Sequence, residues 1–221
     1  MHIFFSVFTL SCIILFGLAS PNKMVIIPII VWTLALSAVS SLNVFLAFPP
    51  SFILILVSIL LLSISYYRLS KNANSNVYYL LGIHIFRIPI EFTIFQLFKH
   101  NMLPIEMTFL GWNYDLFFGI TAILFLVFSS LNPKTLKSVL FKAWNILGIC
   151  SLLKVVVIGI LSSPLPLQAM AFDQPNIAVL QFPYVFLPTI IVLIVILSHF
   201  HLLGYANTIE NQQNTYNRKI K

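Results

Sequence analysis

The chain has 221 residues, of which 60% are hydrophobic and only 8% are charged, and its formal net charge is +7. Soluble domains carry about 25% charged residues, so this composition excludes an ordinary soluble enzyme and predicts an integral membrane protein. The basic balance does not indicate nucleic-acid binding, because membrane proteins accumulate Lys and Arg in their cytoplasmic loops.

Seven apolar segments are predicted to span the membrane, because a spanning helix needs about 20 apolar residues. The sequence therefore predicts an all-α, polytopic transmembrane bundle in one domain, residues 1–206. Residues 207–221 form a polar, basic tail that we expect to be mobile and cytoplasmic. The predicted spans cover residues 2–19, 24–47, 51–69, 77–99, 112–131, 136–161 and 184–206.

The first segment has a second interpretation, as a cleaved signal peptide. Leu18-Ala19-Ser20 fits a cleavage site, but no Lys or Arg precedes the apolar stretch and Pro21 follows the site. A signal peptide needs a basic start and a shorter apolar region. A retained first helix is therefore favoured.

The basic residues predict the orientation of the bundle. With seven spans, only Lys99 falls in the loops of one side. Cytoplasmic loops carry the excess of Lys and Arg, so we expect the N-terminus outside and the C-terminus in the cytoplasm. The cytoplasmic side then receives Lys23, Arg68, Lys71, Lys134, Lys137, Lys142, Arg218, Lys219 and Lys221.

The fourth span carries three ionisable residues on one helical face. His84, Arg87 and Glu91 are spaced i, i+3 and i+7, which aligns them along the helix. A charge near the middle of a membrane costs at least about 2.5–3.5 kcal/mol, so we expect Arg87 and Glu91 to face the bundle interior. The pair is one turn apart and can neutralise itself, but Arg before Glu is the weaker order. We therefore expect a further polar partner, with Asp115, Lys154 or His84 as candidates.

Pro89 lies between these two charged residues and predicts a kink, because it cannot donate a hydrogen bond to the carbonyl of Ile85. A kinked helix that carries an Arg–Glu pair in the membrane is the strongest functional signal in the chain. The alternative is a structural ion pair that only holds helices together.

The sixth span carries two further polar residues, each with two interpretations. Lys154 either extends outward to the interface or serves as a buried counter-ion for Asp115 or Glu91. Asn145 is predicted to make an interhelical hydrogen bond rather than to bind a ligand.

Two connections on the outer side are too apolar to be ordinary loops. Residues 100–115 are predicted to form an interfacial or re-entrant segment, and residues 162–181 to fold over the mouth of the bundle. Either Asn113 or Asp115 is expected to cap the fifth helix. The candidate site residues of these loops are Glu106, Asn113, Asp173 and Asn176.

Several named chemistries are excluded or disfavoured. The seventh span has no lysine for a retinal Schiff base, and His199 and His201 are two residues apart, so they face different sides of a helix. The chain has no H-E-x-x-H, G-x-S-x-G, Walker A or G-x-G-x-x-G motif. The sequence therefore predicts no metal site and no cofactor.

Two stretches carry a resemblance. R-x-P-x-E from Arg87 to Glu91 and M-T-F-x-G-x-N-x-D from Met107 to Asp115 resemble uncharacterised multi-pass membrane proteins of bacteria. The resemblance spans roughly residues 80–180. It implies the bacterial cytoplasmic (inner) membrane as the location, and because no activity is known for such proteins it assigns no role to any residue.

Three classes of function follow from these residues. The favoured one is small-molecule or ion transport or binding in an outward-facing polar pocket built on Arg87 and Glu91. The second is a non-catalytic membrane subunit or assembly factor, with a membrane-protein partner. The third is an intramembrane enzyme acting on a lipid or periplasmic substrate, with Glu91, Asp115 or Asp173 as acid or base. No nucleophile stands out, so an enzyme is less favoured. The expected partners are the lipid bilayer and an unknown small molecule or ion.

Overall fold

The computed structural model describes residues 1–20, 26–70 and 75–220 and confirms an all-α protein. Helices make up 78% of the chain, and the described residues contain no β-strand. Its α-helices are α1 (His2–Ala19), α2 (Ile26–Ser41), α3 (Val44–Ala47), α4 (Ser51–Ser70), α5 (Val77–Ile85), α6 (Arg87–Lys99), α7 (Asp115–Leu131), α8 (Val139–Ser162) and α9 (Val192–Ile220). Single turns of 3₁₀-helix lie at Ile105–Met107, Pro133–Lys137 and Ala178–Leu180, and a π-turn at Leu187–Ile191 precedes α9.

Within the part of the chain that the structure describes, five helical segments are long and apolar enough to cross a membrane. The other two predicted spans correspond to α2 and α7, which are apolar but have only 16 and 17 residues. These lengths lie at the lower limit of the range of about 17–25 residues that a spanning helix needs. Residues 21–25, where the second span was predicted to begin, and Lys23, Lys71 and Lys221 lie outside the described residues. The five segments are His2–Ala19, Ser51–Arg68, Val77–Lys99, Val139–Ser162 and Leu187–Asn207.

The predicted kink in the fourth span is a break between α5 and α6. Phe86 separates the two helices, with φ −64° and ψ −14°. The break lies three residues before Pro89 because this proline cannot donate to the carbonyl of Ile85. A Cβ atom on Gly119 of α7 would lie 2.7 Å from Cγ1 of Ile88, so the missing side chain lets α7 pack closely against the start of α6.

The bundle has a well-packed centre and a peripheral helix. The α5 helix lies between α1 and α7 and also contacts α9, while α8 packs on α7 and α9. By contrast, α4 contacts α9, and only 11% of its apolar window is buried, against 67% for Leu187–Asn207. Most of the α4 surface therefore faces outward.

The two connections predicted to be outer pack against the bundle, as expected, and they also bond to each other. The carbonyl of Met102 accepts hydrogen bonds from the backbone N–H groups of Ile177 and Ala178, both at 3.0 Å. Gln174 Nε2 donates to the carbonyls of Phe98 at 2.9 Å and Leu103 at 2.6 Å. These bonds tie the second loop to the first, which holds only one turn of 3₁₀-helix, Ile105–Met107.

The polar tail is part of α9, which continues as far as Ile220. Its composition did not indicate this extension, since Asn and Thr favour helices only weakly. The prediction of a cytoplasmic location for the tail stays a prediction.

Candidate functional site

An ion pair between α6 and α7 forms the centre of the site. Arg87 is 2% exposed, and its Nη2 pairs with Oδ1 of Asp115, which also accepts a hydrogen bond from Ser151 Oγ at 3.3 Å. The guanidinium carbon lies 5.1 Å from the ring centre of Phe118. No ion pair joins Arg87 to Glu91, so the expected intrahelical neutralisation is wrong. The physical reason is that Asp115 approaches from the neighbouring helix, whereas Arg before Glu is the weaker order along one helix.

His199 of α9 is a second partner of Arg87. Arg87 Nη1 lies 3.1 Å from His199 Nε2, and a guanidinium has donors only, so Nε2 is the acceptor. The hydrogen of this neutral imidazole is then on Nδ1, which donates to Asn145 Oδ1 at 2.9 Å. Asn145 Nδ2 in turn donates to the carbonyl of Phe141. The predicted interhelical hydrogen bond of Asn145 is confirmed, and it orients the His199 ring.

Sequence reasoning missed His199 as a member of this site. It lies two residues from His201, near the end of the predicted span, and His201 instead lies 3.2 Å from the hydroxyl of Ser70. The available signal was Gly148 in α8. A Cβ atom there would lie 2.4 Å from Cε1 of His199, so only glycine leaves space for the ring.

His84 is buried beside these residues without a hydrogen bond. Its ring centre lies 4.1 Å from that of His199 and 5.3 Å from that of Trp144. Neither ring nitrogen has a partner among the described residues. His84 therefore packs in the site, as expected, but does not bond to Arg87 or Glu91.

Glu91 is held by Asn113 of the first outer loop. Its Oε1 accepts a hydrogen bond from Asn113 Nδ2 at 2.7 Å, and the same amide nitrogen donates to the carbonyl of Met107 at 2.9 Å. Asn113 Oδ1 accepts from the backbone N–H of Asp115 at 2.9 Å. Neither capping candidate occupies the N-cap position of α7, which is Tyr114 and has no side-chain cap. Asn113 instead bonds to the first N–H of the helix, and Asp115 pairs with Arg87.

A cavity with an empty volume of about 800 Å³, counted to its open mouth, adjoins this centre. Arg87, Glu91 and Asp115 form a polar patch in the wall, with Ser163 and Asn176 as further polar lining residues. The other lining residues are apolar except for glycine and are contributed by α4, α6, α8, α9 and the outer loops.

Three buried polar atoms of the lining residues have no partner among the described residues. They are Nε of Arg87, Oε2 of Glu91 and Oδ1 of Asn176. An unsatisfied buried donor or acceptor costs about 1–3 kcal/mol, so a molecule that hydrogen-bonds to these atoms would be stabilised in the cavity.

Three of the predicted site residues lie elsewhere. Lys154 is half-buried, and its Nζ lies 3.8 Å from the ring centre of Tyr114, so it is not a counter-ion to Asp115 or Glu91. Asp173 is exposed and Glu106 is half-buried, and neither lines the cavity. The loops instead present uncharged amides to the interior, because Asn113 and Asn176 cost less to bury than a carboxylate.

The described residues contain no group of three His, Cys, Asp or Glu side chains placed to hold a metal ion. The two cysteines are also apart from the ion pair. Cys12 is buried in α1, and Cys150 is exposed on the surface of α8.

The fold and this centre define an all-α protein with five helices able to cross a membrane and a polar patch buried among them. The model of a family described as “Domain of unknown function (DUF8737)” matches residues 41–205, and the chain belongs to this family. The match includes every residue of the ion pair and of the cavity wall, and it begins after α1. No curated protein and no solved structure matches the chain.

Proposed function

We propose that this protein is a multi-pass membrane protein that binds a small molecule, for transport or sensing, in the cavity beside Arg87 and Glu91. One observation carries the proposal: charged side chains that are costly to bury line a cavity, and Arg87 Nε and Glu91 Oε2 have no partner among the described residues. A purely structural ion pair needs no such space, because a membrane protein gains stability by closing it.

We propose seven spans, with the N-terminus outside and the C-terminus in the cytoplasm of a bacterial cell. Two contacts support this orientation. Ser70, at the end of α4, contacts His201 of α9, and the turn Pro133–Lys137 also packs on α9. Arg68, Lys134 and Lys137 are therefore grouped near one helix, which is the arrangement expected of a cytoplasmic end. A reporter fused after Lys221 should be active in the cytoplasm, and one inserted in the loop 163–177 should be active outside.

Thiol labelling from outside the cell tests the pocket. In a Cys150→Ala background, Val156→Cys introduces a thiol in the cavity wall, and Val157→Cys introduces one on the outer surface of the same helix, where Val157 is 53% exposed. Cys12 is fully buried and stays. The probe is a membrane-impermeant, charged thiol reagent, which reacts only with a thiol that water can reach.

We expect Val156→Cys to be labelled from outside and Val157→Cys to stay unlabelled in the bilayer. Ser163→Cys, which introduces a thiol at a second position in the wall of the same cavity, should also be labelled. If intact cells leave both cavity thiols unlabelled, the proposal of an outward-facing pocket is wrong.

A second candidate function is a non-catalytic subunit in which the charges only hold helices together. It is favoured by one observation: Arg87 of α6 bonds to Asp115 of α7 and to His199 of α9 at the same time. If the pair is only a structural clamp, replacing one partner alone would destabilise the protein, whereas replacing both partners with apolar residues would be tolerated.

A further inference from the structure

We infer that the ligand of this cavity is an uncharged amphiphile, with an apolar chain and a head that carries hydroxyl groups. The inference rests on the proposed binding function and specifies its ligand class. It follows from three properties of the cavity wall: its apolar area, its unpaired atoms and its balance of charge.

The apolar part of the wall indicates that the ligand has an apolar tail. Side chains from four helices line the cavity with hydrocarbon, and the polar groups are confined to a few positions. A fully polar solute would leave this surface in contact with water, whereas an alkyl chain gains about 0.8 kcal/mol per buried CH₂. The apolar lining includes Phe52, Leu56, Ile94, Leu152, Val156 and Val192.

The unpaired atoms set the hydrogen-bonding pattern of the head. Nε of Arg87 is a donor and needs an acceptor in the ligand. Oδ1 of Asn176 is a free acceptor, and Oε2 of Glu91 accepts a hydrogen bond when the carboxylate is ionised and donates one when it is protonated. A hydroxyl group both donates and accepts, so a head with two hydroxyl groups can satisfy all three atoms.

The balance of charge disfavours an ionic head. One guanidinium, Arg87, faces two carboxyl groups, Glu91 and Asp115, and the guanidinium is already paired with Asp115. The nearby ammonium of Lys154 lies over Tyr114 instead. The guanidinium charge is thus already balanced by Asp115, so an anionic head would find no free counter-charge, and an ammonium would meet the guanidinium and could not accept from Nε.

Protection of the cavity thiol from labelling tests the ligand class. The full chain with Cys150→Ala and Val156→Cys is reconstituted in lipid nanodiscs and labelled in the presence of four probes. The probes are 1-lauroylglycerol, glycerol, lauric acid and dodecylamine, which separate the neutral head, the tail and the two signs of charge.

We expect 1-lauroylglycerol to protect the thiol with saturable dependence on its concentration. Protection of a single site grows as 1 + [L]/Kd, so it should reach about tenfold at about ten times the fitted Kd. Over the same range glycerol, lauric acid and dodecylamine should each change the labelling rate less than twofold. Ser163→Cys gives the same test from the mouth of the cavity.

The outcomes separate the inference from the proposed function. Equal protection by lauric acid or dodecylamine overturns the uncharged head, and equal protection by glycerol overturns the apolar tail. A thiol that is labelled but that no probe protects overturns the ligand class and leaves the pocket standing. A thiol that is never labelled contradicts the pocket itself, and the inference falls with it.

Discussion

The two sides of the Arg87 guanidinium differ in how completely their polar groups are bonded. On the closed side, which comprises Asn145, Ser151 and His199, hydrogen bonds run without a break from Ser151 through Asp115 and the guanidinium to Asn145, and Asp115 is shared with the cavity wall. On the cavity side, Nε of the same guanidinium and Oε2 of Glu91 have no partner. The comparison suggests a division of roles, in which the closed side stabilises the fold and the cavity side is available to a ligand.

The largest effect is expected from breaking the ion pair on the closed side. Asp115→Asn leaves Arg87 buried without its counter-charge, which should reduce the free energy of unfolding by about 3–5 kcal/mol. Thermal unfolding of the purified protein, followed by circular dichroism in detergent, measures the loss. Asp173→Asn is the control, since Asp173 is exposed, and it should change stability by less than about 0.5 kcal/mol.

The two buried histidines should respond differently to the same substitution. His199→Phe leaves Arg87 Nη1 and Asn145 Oδ1 without their partner, at a cost of about 1–3 kcal/mol. His84→Phe removes two ring nitrogens that have no partner and should be nearly neutral or stabilising. Equal losses of stability in the two variants would show that the hydrogen bonds of His199 do not stabilise the closed side.

The space that Gly148 leaves for the His199 ring should also contribute to the stability of the closed side. Gly148→Ala places a Cβ atom 2.4 Å from the ring, and the overpacking should cost about 1–3 kcal/mol. Gly82→Ala is the matched control, because its Cβ would lie 3.7 Å from the nearest side-chain atom, Cδ1 of Leu15. Urea or thermal unfolding that ranks Gly82→Ala as the more damaging change would contradict the packing of α8 on α9.

The smallest effect on stability is expected on the cavity side. Val156→Phe fills empty space and should change the free energy of unfolding by less than about 1 kcal/mol, since no hydrogen bond is lost. It should nevertheless abolish protection of a Ser163→Cys thiol by 1-lauroylglycerol. Val157→Phe, on the outer surface of the same helix, should leave protection intact, and loss in both variants would argue against a specific cavity.

The positions of Arg87 and Glu91 could be predicted from sequence because the cost of burying a charge in a membrane depends mainly on where it lies along the span. Asp115 could be named only as one of several partners, since the choice depends on how α7 is rotated against α6. His199 was missed because its role depends on the register of α9 against α8. Only Gly148 marks that register in the sequence, and a glycine alone does not identify the side chain that packs against it.

The outer loops show a different limit on what can be predicted from sequence. Their apolar composition predicted that they pack on the bundle, and the bonds of Met102 and Gln174 confirm it. The choice of Glu106 and Asp173 as site residues followed from their charge, but the loops present Asn113 and Asn176 to the interior instead. Which side of an irregular loop faces inward is set by tertiary contacts, which no periodicity in the sequence encodes.

The most direct test of the division of roles is to replace the ion pair and measure binding. The double variant Arg87→Met with Asp115→Leu is made in the Cys150→Ala, Val156→Cys chain, because a buried pair replaced by apolar residues of similar volume often keeps its stability. The measurement is the ratio of thiol-labelling rates with and without 1-lauroylglycerol in the folded protein. We predict a folded protein whose labelling the probe no longer slows. A folded double variant that 1-lauroylglycerol still protects about tenfold at ten times the Kd fitted for the parent would contradict a binding role for Arg87 and leave the structural clamp.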